Sequence, residues 1–181
     1  MSRMWFTMMV VAGIWAGMSE ATYAQDTVTL VGSGSGAFET PVPLASAGVG
    51  TATCTLNRLT VEIACTARVH NIVALTVGHI HVGGPGTPGP VVLTIPGLPI
   101  GSSDDFTLSW TWTERDLTLR PAQGVLKMAD VFESCSSGNC YLNFHTTLNP
   151  GGEVRIPLCP QGPPGRAANP FFSINVCEPA R

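Results

Sequence analysis

Four histidines occur in 181 residues, and three of them fall in two glycine- and proline-rich stretches. Residues 78–90 read GHIHVGGPGTPGP, and residues 141–156 read YLNFHTTLNPGGEVRI. Side chains of an extended segment alternate faces, so His79 and His81 share one face, ~6–7 Å apart at Cα. In 141–146, Leu142 and Phe144 form the apolar side, and Tyr141, Asn143 and His145 form the other. On the returning segment Val154 and Ile156 are apolar, while Glu153 and Arg155 oppose them. A turn over 148–151 that keeps apolar beside apolar sets His145 next to Glu153 and Asn143 next to Arg155. If the His79 strand lies against this hairpin, His79, His81, His145, Glu153 and Arg155 converge on one face.

Two chemistries fit that face. Three imidazoles from two strands, with a carboxylate nearby to orient a ring, match the ligand preferences of zinc or copper. The same groups also suit a structural network, in which histidines bonded to carboxylate and backbone fix register and orient the glycine–proline loop. His70 ends a different strand and is expected at the surface. Other polar groups point elsewhere. Ser109, Ser136, Ser137, Thr146 and Thr147 follow no nucleophile-elbow pattern. Residues 32–36 (GSGSG) lack the lysine and strand–helix context of a phosphate loop. Asp104 and Asp105 read as a solvated loop pair, and Glu114 and Asp116 as caps of a helical turn.

The elements that must position these groups are mostly strands. Residues 26–31 read as a first strand that GSGSG breaks, and 38–43 as extended because two prolines oppose helix. Residues 48–56 and 59–69 alternate around a short Asn57-Arg58 turn, a hairpin pattern that places Cys54 across from Cys65. Its second arm would line one face with Leu59, Val61, Ile63 and Cys65. Residues 72–82 carry the histidine pair, and 90–95 form a short buried strand. In 106–113, Phe106, Leu108, Trp110 and Trp112 face one way and hydroxyl residues the other. The one segment suited to helix is 113–132, in short turns, followed by a small disulfide-closed loop at 134–140. Eight or nine short strands favour an all-β antiparallel sandwich or barrel.

Composition sets the class. Hydrophobic residues make up 44% and charged residues 12%, enough apolar material for a core. A net charge of −3 leaves no basic footprint for nucleic acid. Arg3, an apolar run over 5–18 and the small residues around Ala24 read as a signal peptide over 1–24. The domain is then expected over 25–158, with an extension over 159–181. No later segment is suited to a membrane span. Six cysteines follow the leader: Cys54, Cys65, Cys135, Cys140, Cys159 and Cys177. An even count in an exported chain reads as a disulfide framework, and nearest-neighbour pairing is the simplest of 15 arrangements.

The order GHIHVGGPGTPGPVV, WTWTERDL, YLNFHTTLNPGGEVR resembles the CHRD (chordin-type) domain over residues 27–157. Residues 36–43 (GAFETPVP) and 50–56 resemble its earlier motifs more loosely. The matching positions include His79, His81, Gly83, Pro90, His145, Asn149, Gly152, Glu153 and Arg155. The resemblance implies an immunoglobulin-like β-sandwich or barrel in a protein secreted to the periplasm or outside the cell. It implies a non-enzymatic module, with a protein or surface ligand of unknown identity as partner and no catalytic residues. Where the family usually has glycine after the arginine, this chain has Ile156-Pro157. The Cys135–Cys140 loop and the Cys159–Cys177 tail look like additions. The alternative reading is a zinc or copper protein using His79, His81 and His145. In that reading a metal-dependent redox enzyme is the catalytic variant. Its His-x-His strand is loosely similar to copper/zinc superoxide dismutase, whose flanking motifs are missing here. A surface-layer or matrix protein is a third reading.

Overall fold

The computed structural model describes residues 26–98 and 105–161. The expected signal peptide, Asp104, Cys177 and the FFSINVC segment lie outside them. The described chain runs β1 (Thr27–Ser35), β2 (Val49–Asn57), β3 (Glu62–His70), β4 (Leu75–Val82), β5 (Val91–Thr94), β6 (Asp105–Trp112), α1 (Met128–Ser136), β7 (Cys140–Thr146), β8 (Val154–Pro157) and β9 (Cys159–Pro160). Every strand pairing is antiparallel, in the order β5-β4-β7-β8-β1-β2-β3-β6, with β9 also on β1.

Two four-stranded halves meet at a corner where β1 touches β8 through the single pair Ser35–Arg155. At the far side the outer strands approach each other. The Trp112 indole donates to the Thr94 carbonyl at 2.6 Å, and Thr118 N–H donates to Val92 at 2.8 Å. The sheet is therefore nearly closed and barrel-like, which protects both edges from further pairing. The all-β antiparallel expectation holds at that level.

The corner explains the first departure from the sequence expectation. GSGSG does not break β1; the strand continues through it to Ser35. A Cβ on Gly32 would run into the Pro157 carbonyl, and one on Gly34 into that of Arg155. Glycine here permits close backbone crossing, one of its recognised roles inside a strand.

The β2–β3 hairpin forms with Cys54 directly opposite Cys65, and the two are disulfide-bonded. Its turn is longer than expected. Residues 58–61 leave the ladder, Asn57 Oδ1 accepts from the N–H groups of Leu59 and Thr60, and Leu59 is 74% exposed. Leu59 and Val61 thus belong to the turn and not to the buried stripe. β6 alternates as its pattern demands: Phe106, Trp110 and Trp112 are buried, Thr107, Ser109 and Thr111 exposed.

The helical segment is displaced toward the C-terminus. Single 3-10 turns cover Glu114–Asp116 and Pro121–Gln123, and the α-helix begins only at Met128 and runs into the expected loop. Pro121 and the left-handed Gly124 stop anything longer upstream. The expected capping is present. Asp116 accepts from Thr113 N–H at 2.8 Å, and Glu114 accepts from Met128 N–H at the start of α1. Val131, Phe132 and Cys135 seat the helix on the core, and Cys135 is bridged to Cys140. Asp105 is also corrected: it opens β6, pairs with Arg68 at 3.1 Å and with His70 at 3.0 Å, and is no free loop residue.

Candidate functional site

β4 and β7 are direct neighbours, with His79 across from Asn143, His81 across from Tyr141, and Val77 across from His145. β8 continues the layer, with Asn143 across from Arg155. One side of this three-stranded layer is apolar: Ile80, Leu142, Phe144 and Ile156 are all fully buried. The other side carries His79, His81, Tyr141, Asn143, His145 and Arg155. It too is largely buried, so the alternation separates an apolar core from a covered polar face.

The three imidazoles meet there. His79 Nδ1 lies 3.1 Å from His145 Nε2, and the closest ligand atoms of His79, His81 and His145 all fall within 4.8 Å of one another. Each of the two buried rings is fixed from behind. His81 Nδ1 bonds the Gly89 carbonyl at 2.9 Å, and His145 Nδ1 bonds the Pro150 carbonyl at 2.9 Å. A neutral imidazole has one N–H, so donating from Nδ1 leaves the Nε2 lone pair facing the cluster. His81 Nε2 is buried and has no hydrogen-bond partner.

Electrostatics keep these rings neutral. Burial, together with neighbouring His145 and His81, pulls His79 down from 6.5 to about 4. Burial also lowers His81 and His145, against the opposing pull of their carbonyl partners.

A second layer of contacts surrounds the cluster. The Tyr141 ring stacks on His81 at 4.7 Å between centroids, and the Arg155 guanidinium covers Tyr141 at 3.5 Å. Arg155 also donates to the carbonyls of Gly84 (3.2 Å) and Thr87 (2.9 Å) and to the Thr40 hydroxyl. Tyr141 OH accepts from Gly89 N–H at 3.0 Å. Arg155, Tyr141 and His81 therefore grip the 83–90 loop together.

Glu153 does not join the cluster as the sequence suggested. Its carboxylate accepts from Thr146 at 2.6 Å and from Ser46 at 2.7 Å. Burial opposes its ionisation, but hydrogen bonds from Thr146, Ser46 and Asn149 outweigh that and hold it below its usual range. Its place in the motif is to shape the 147–151 turn, where Thr146 Oγ1 also accepts from Asn149 N–H. Backbone carbonyls orient the rings in place of the expected carboxylate. Gly152 sits at φ 129° against Asn143, whose side chain a Cβ would strike.

Sequence reasoning missed Glu39. It is 93% buried by its 7% exposure, accepts from Asn143 Nδ2 at 3.1 Å, and is raised from 4.5 to about 7 by burial, against Asn143 and Arg155. Glu39 Oε1 and Asn143 Oδ1 are both buried without partners. The signal was an acid inside GAFETPVP, the stretch that resembles the family motif only loosely. His70, expected at the surface, is half-buried beside Asp105.

The geometry defines an all-β, disulfide-bonded domain whose polar face is buried beneath two motif loops. The family model of the CHRD domain matches residues 31–155, and the chain belongs to that family. Neither a curated protein nor a solved structure matches the chain. Among the described residues no helix is long and apolar enough to cross a membrane.

Proposed function

We propose that the protein is an exported, non-enzymatic CHRD module that acts by binding, through the surface built by its 83–90 and 147–151 loops. The observation that carries this reading is where the buried polar groups are spent. Arg155 and His81 hold carbonyls of the first loop, and His145 holds a carbonyl of the second. Conformational order paid in advance in this way favours recognition. The two disulfides suit an oxidising compartment. The halves that meet at Gly32 and Gly34 fit the two layers of an immunoglobulin-like sandwich.

Two measurements test this. The protein should be recovered outside the cytoplasm with its thiols oxidised; a reduced cytosolic pool overturns the compartment. A photocrosslinker at the exposed Thr87 should trap a discrete partner in the producing cells, while one at the exposed Thr111 should not. Equal adducts, or none from either position, count against the loop surface.

A second reading has its own observation, the unpartnered Nε2 of buried His81. His79, His81 and His145 fit a zinc or copper ion. The donors are neutral, two rings are oriented by carbonyls as in metal sites, and the His79–His145 spacing of 3.1 Å is close to the ~3.3 Å that tetrahedral zinc–nitrogen bonds require. His79 is only half-buried, which leaves a position open to solvent. Addition of Zn²⁺ or Cu²⁺ to metal-free protein should raise its Tm, and His79→Ala should abolish the rise. Thermal stability that ignores both ions removes this reading.

A further inference from the structure

The two ring nitrogens of His81 face different parts of the molecule, and so do those of His145. On one side each ring touches a loop carbonyl, Gly89 for His81 and Pro150 for His145. On the other side each ring faces the cluster. Resting on the metal reading above, we infer that metal occupancy sets the order of the loop surface: one ion locks both motif loops at once.

The physical reason is tautomerism. A free neutral imidazole can carry its proton on either nitrogen. With the proton on Nε2, the Nδ1 lone pair of His81 confronts the Gly89 oxygen and the loop bond is lost. A cation held by Nε2 forbids that tautomer, so Nδ1–H must donate to the carbonyl. Coordination also polarises the ring and strengthens the N–H as a donor. The two loops are distant in sequence and share no hydrogen bond of their own among the described residues; the ion couples them through the rings.

The grip extends beyond the two carbonyls. Gly89, fixed by His81, also donates its N–H to Tyr141 OH, and Tyr141 stacks between His81 and Arg155. Arg155 then holds Gly84 and Thr87. Tightening His81 therefore tightens the loop along its length. In the second loop, Asn149 N–H and Gly152 N–H close the turn around Pro150.

His79 gives a clean separation of the two effects. Its ring bonds His145, and neither the Gly89 nor the Pro150 carbonyl is its partner. Removing it takes away a ligand and leaves the His81–Gly89 bond untouched, and glutamine in its place can still donate to His145 Nε2. The test is amide hydrogen exchange on the full exported chain, with and without Zn²⁺, for wild type, His79→Ala and His79→Gln. Zn²⁺ binding is measured in parallel by calorimetry.

The expected result is exchange slowed about fivefold or more at Thr87, Gly89, Asn149 and Gly152 on adding Zn²⁺, the effect of firming a single hydrogen bond. His79→Gln should show the metal-free protection of wild type in both loops, His79→Ala should show it at Thr87 and Gly89, and neither should respond to Zn²⁺. Binding without change at these four amides overturns the coupling and leaves the metal site standing. Protection in only one loop overturns the claim that the ion joins them. Absence of Zn²⁺ binding removes the metal reading, and the coupling with it.

Discussion

Glu39 shows how one buried carboxyl can work against its own fold. Its folded pKa is raised to about 7 from 4.5, so between those values the folded state holds more protons than the unfolded one. Its contribution is therefore fully present below about 4.5 and lost as pH rises through 7. Glu39→Gln keeps the shape and an acceptor for Asn143 without a charge to bury. The variant should exceed wild type by ~1–3 kcal/mol at pH 8, with the gap closing by pH 5; chemical denaturation at both pH values checks this. The cluster histidines act in the opposite sense. Their folded pKa values are lowered, that of His79 to about 4, so their contribution is present above the ordinary histidine range and is lost as pH falls below about 6.5. Arg155 is the other decisive single residue. Lysine cannot fork to two carbonyls and a hydroxyl while lying flat on Tyr141, so Arg155→Lys should lower stability by ~1–3 kcal/mol in urea unfolding.

At the scale of elements, the corner between β1 and β8 sets the layout. Gly34→Ala would drive a methyl into the Arg155 backbone, and β8 cannot retreat without opening the polar layer behind it. The variant should lose ~3 kcal/mol or more, or fail to fold. Gly151→Ala is the matched control. Nothing lies within 4 Å of its added methyl and no positive φ is recorded there, so its midpoint should stay within ~0.5 kcal/mol of wild type. The comparison separates a glycine required by close crossing from one that merely sits in a turn. The register of β4 on β7 is fixed by burial on both faces, because a slip of one residue would exchange Ile80 and Leu142 for histidine and asparagine.

At the scale of the whole molecule, closure depends on a few bonds between the outer strands. Trp112 is 1% exposed, and its indole N–H satisfies the Thr94 carbonyl across the gap. Trp112→Phe keeps most of the apolar volume but leaves that carbonyl unpaired. It should cost ~1–3 kcal/mol, and exchange should quicken first in β5 and β6, the two outer strands. The Cys54–Cys65 bridge lies inside an already paired hairpin, whereas Cys135–Cys140 ties the end of α1 to the start of β7. The second bridge thus reaches the layer that carries the histidines, through Cys140 at the start of β7, and the first lies in the other half of the sheet.

The period of two along β4, β6 and β7 was legible in the chain itself, because strand alternation is a local property. It gave the shared face of His79 and His81, the apolar stripe of Phe106, Trp110 and Trp112, and the Asn143–Arg155 pairing. The cysteine spacing likewise gave the 54–65 and 135–140 bridges. Other features were not local. GSGSG reads as a break until β8 is seen crossing it. Glu153 reads as a partner for histidine until Ser46, 107 residues away, claims its carboxylate. Glu39 carries no signal of its own in the sequence, and only its place beside Asn143 in the folded chain buries it. In each case the outcome depended on which distant backbone or side chain arrived alongside, and close packing of a twisted sheet decides that only once the chain has folded.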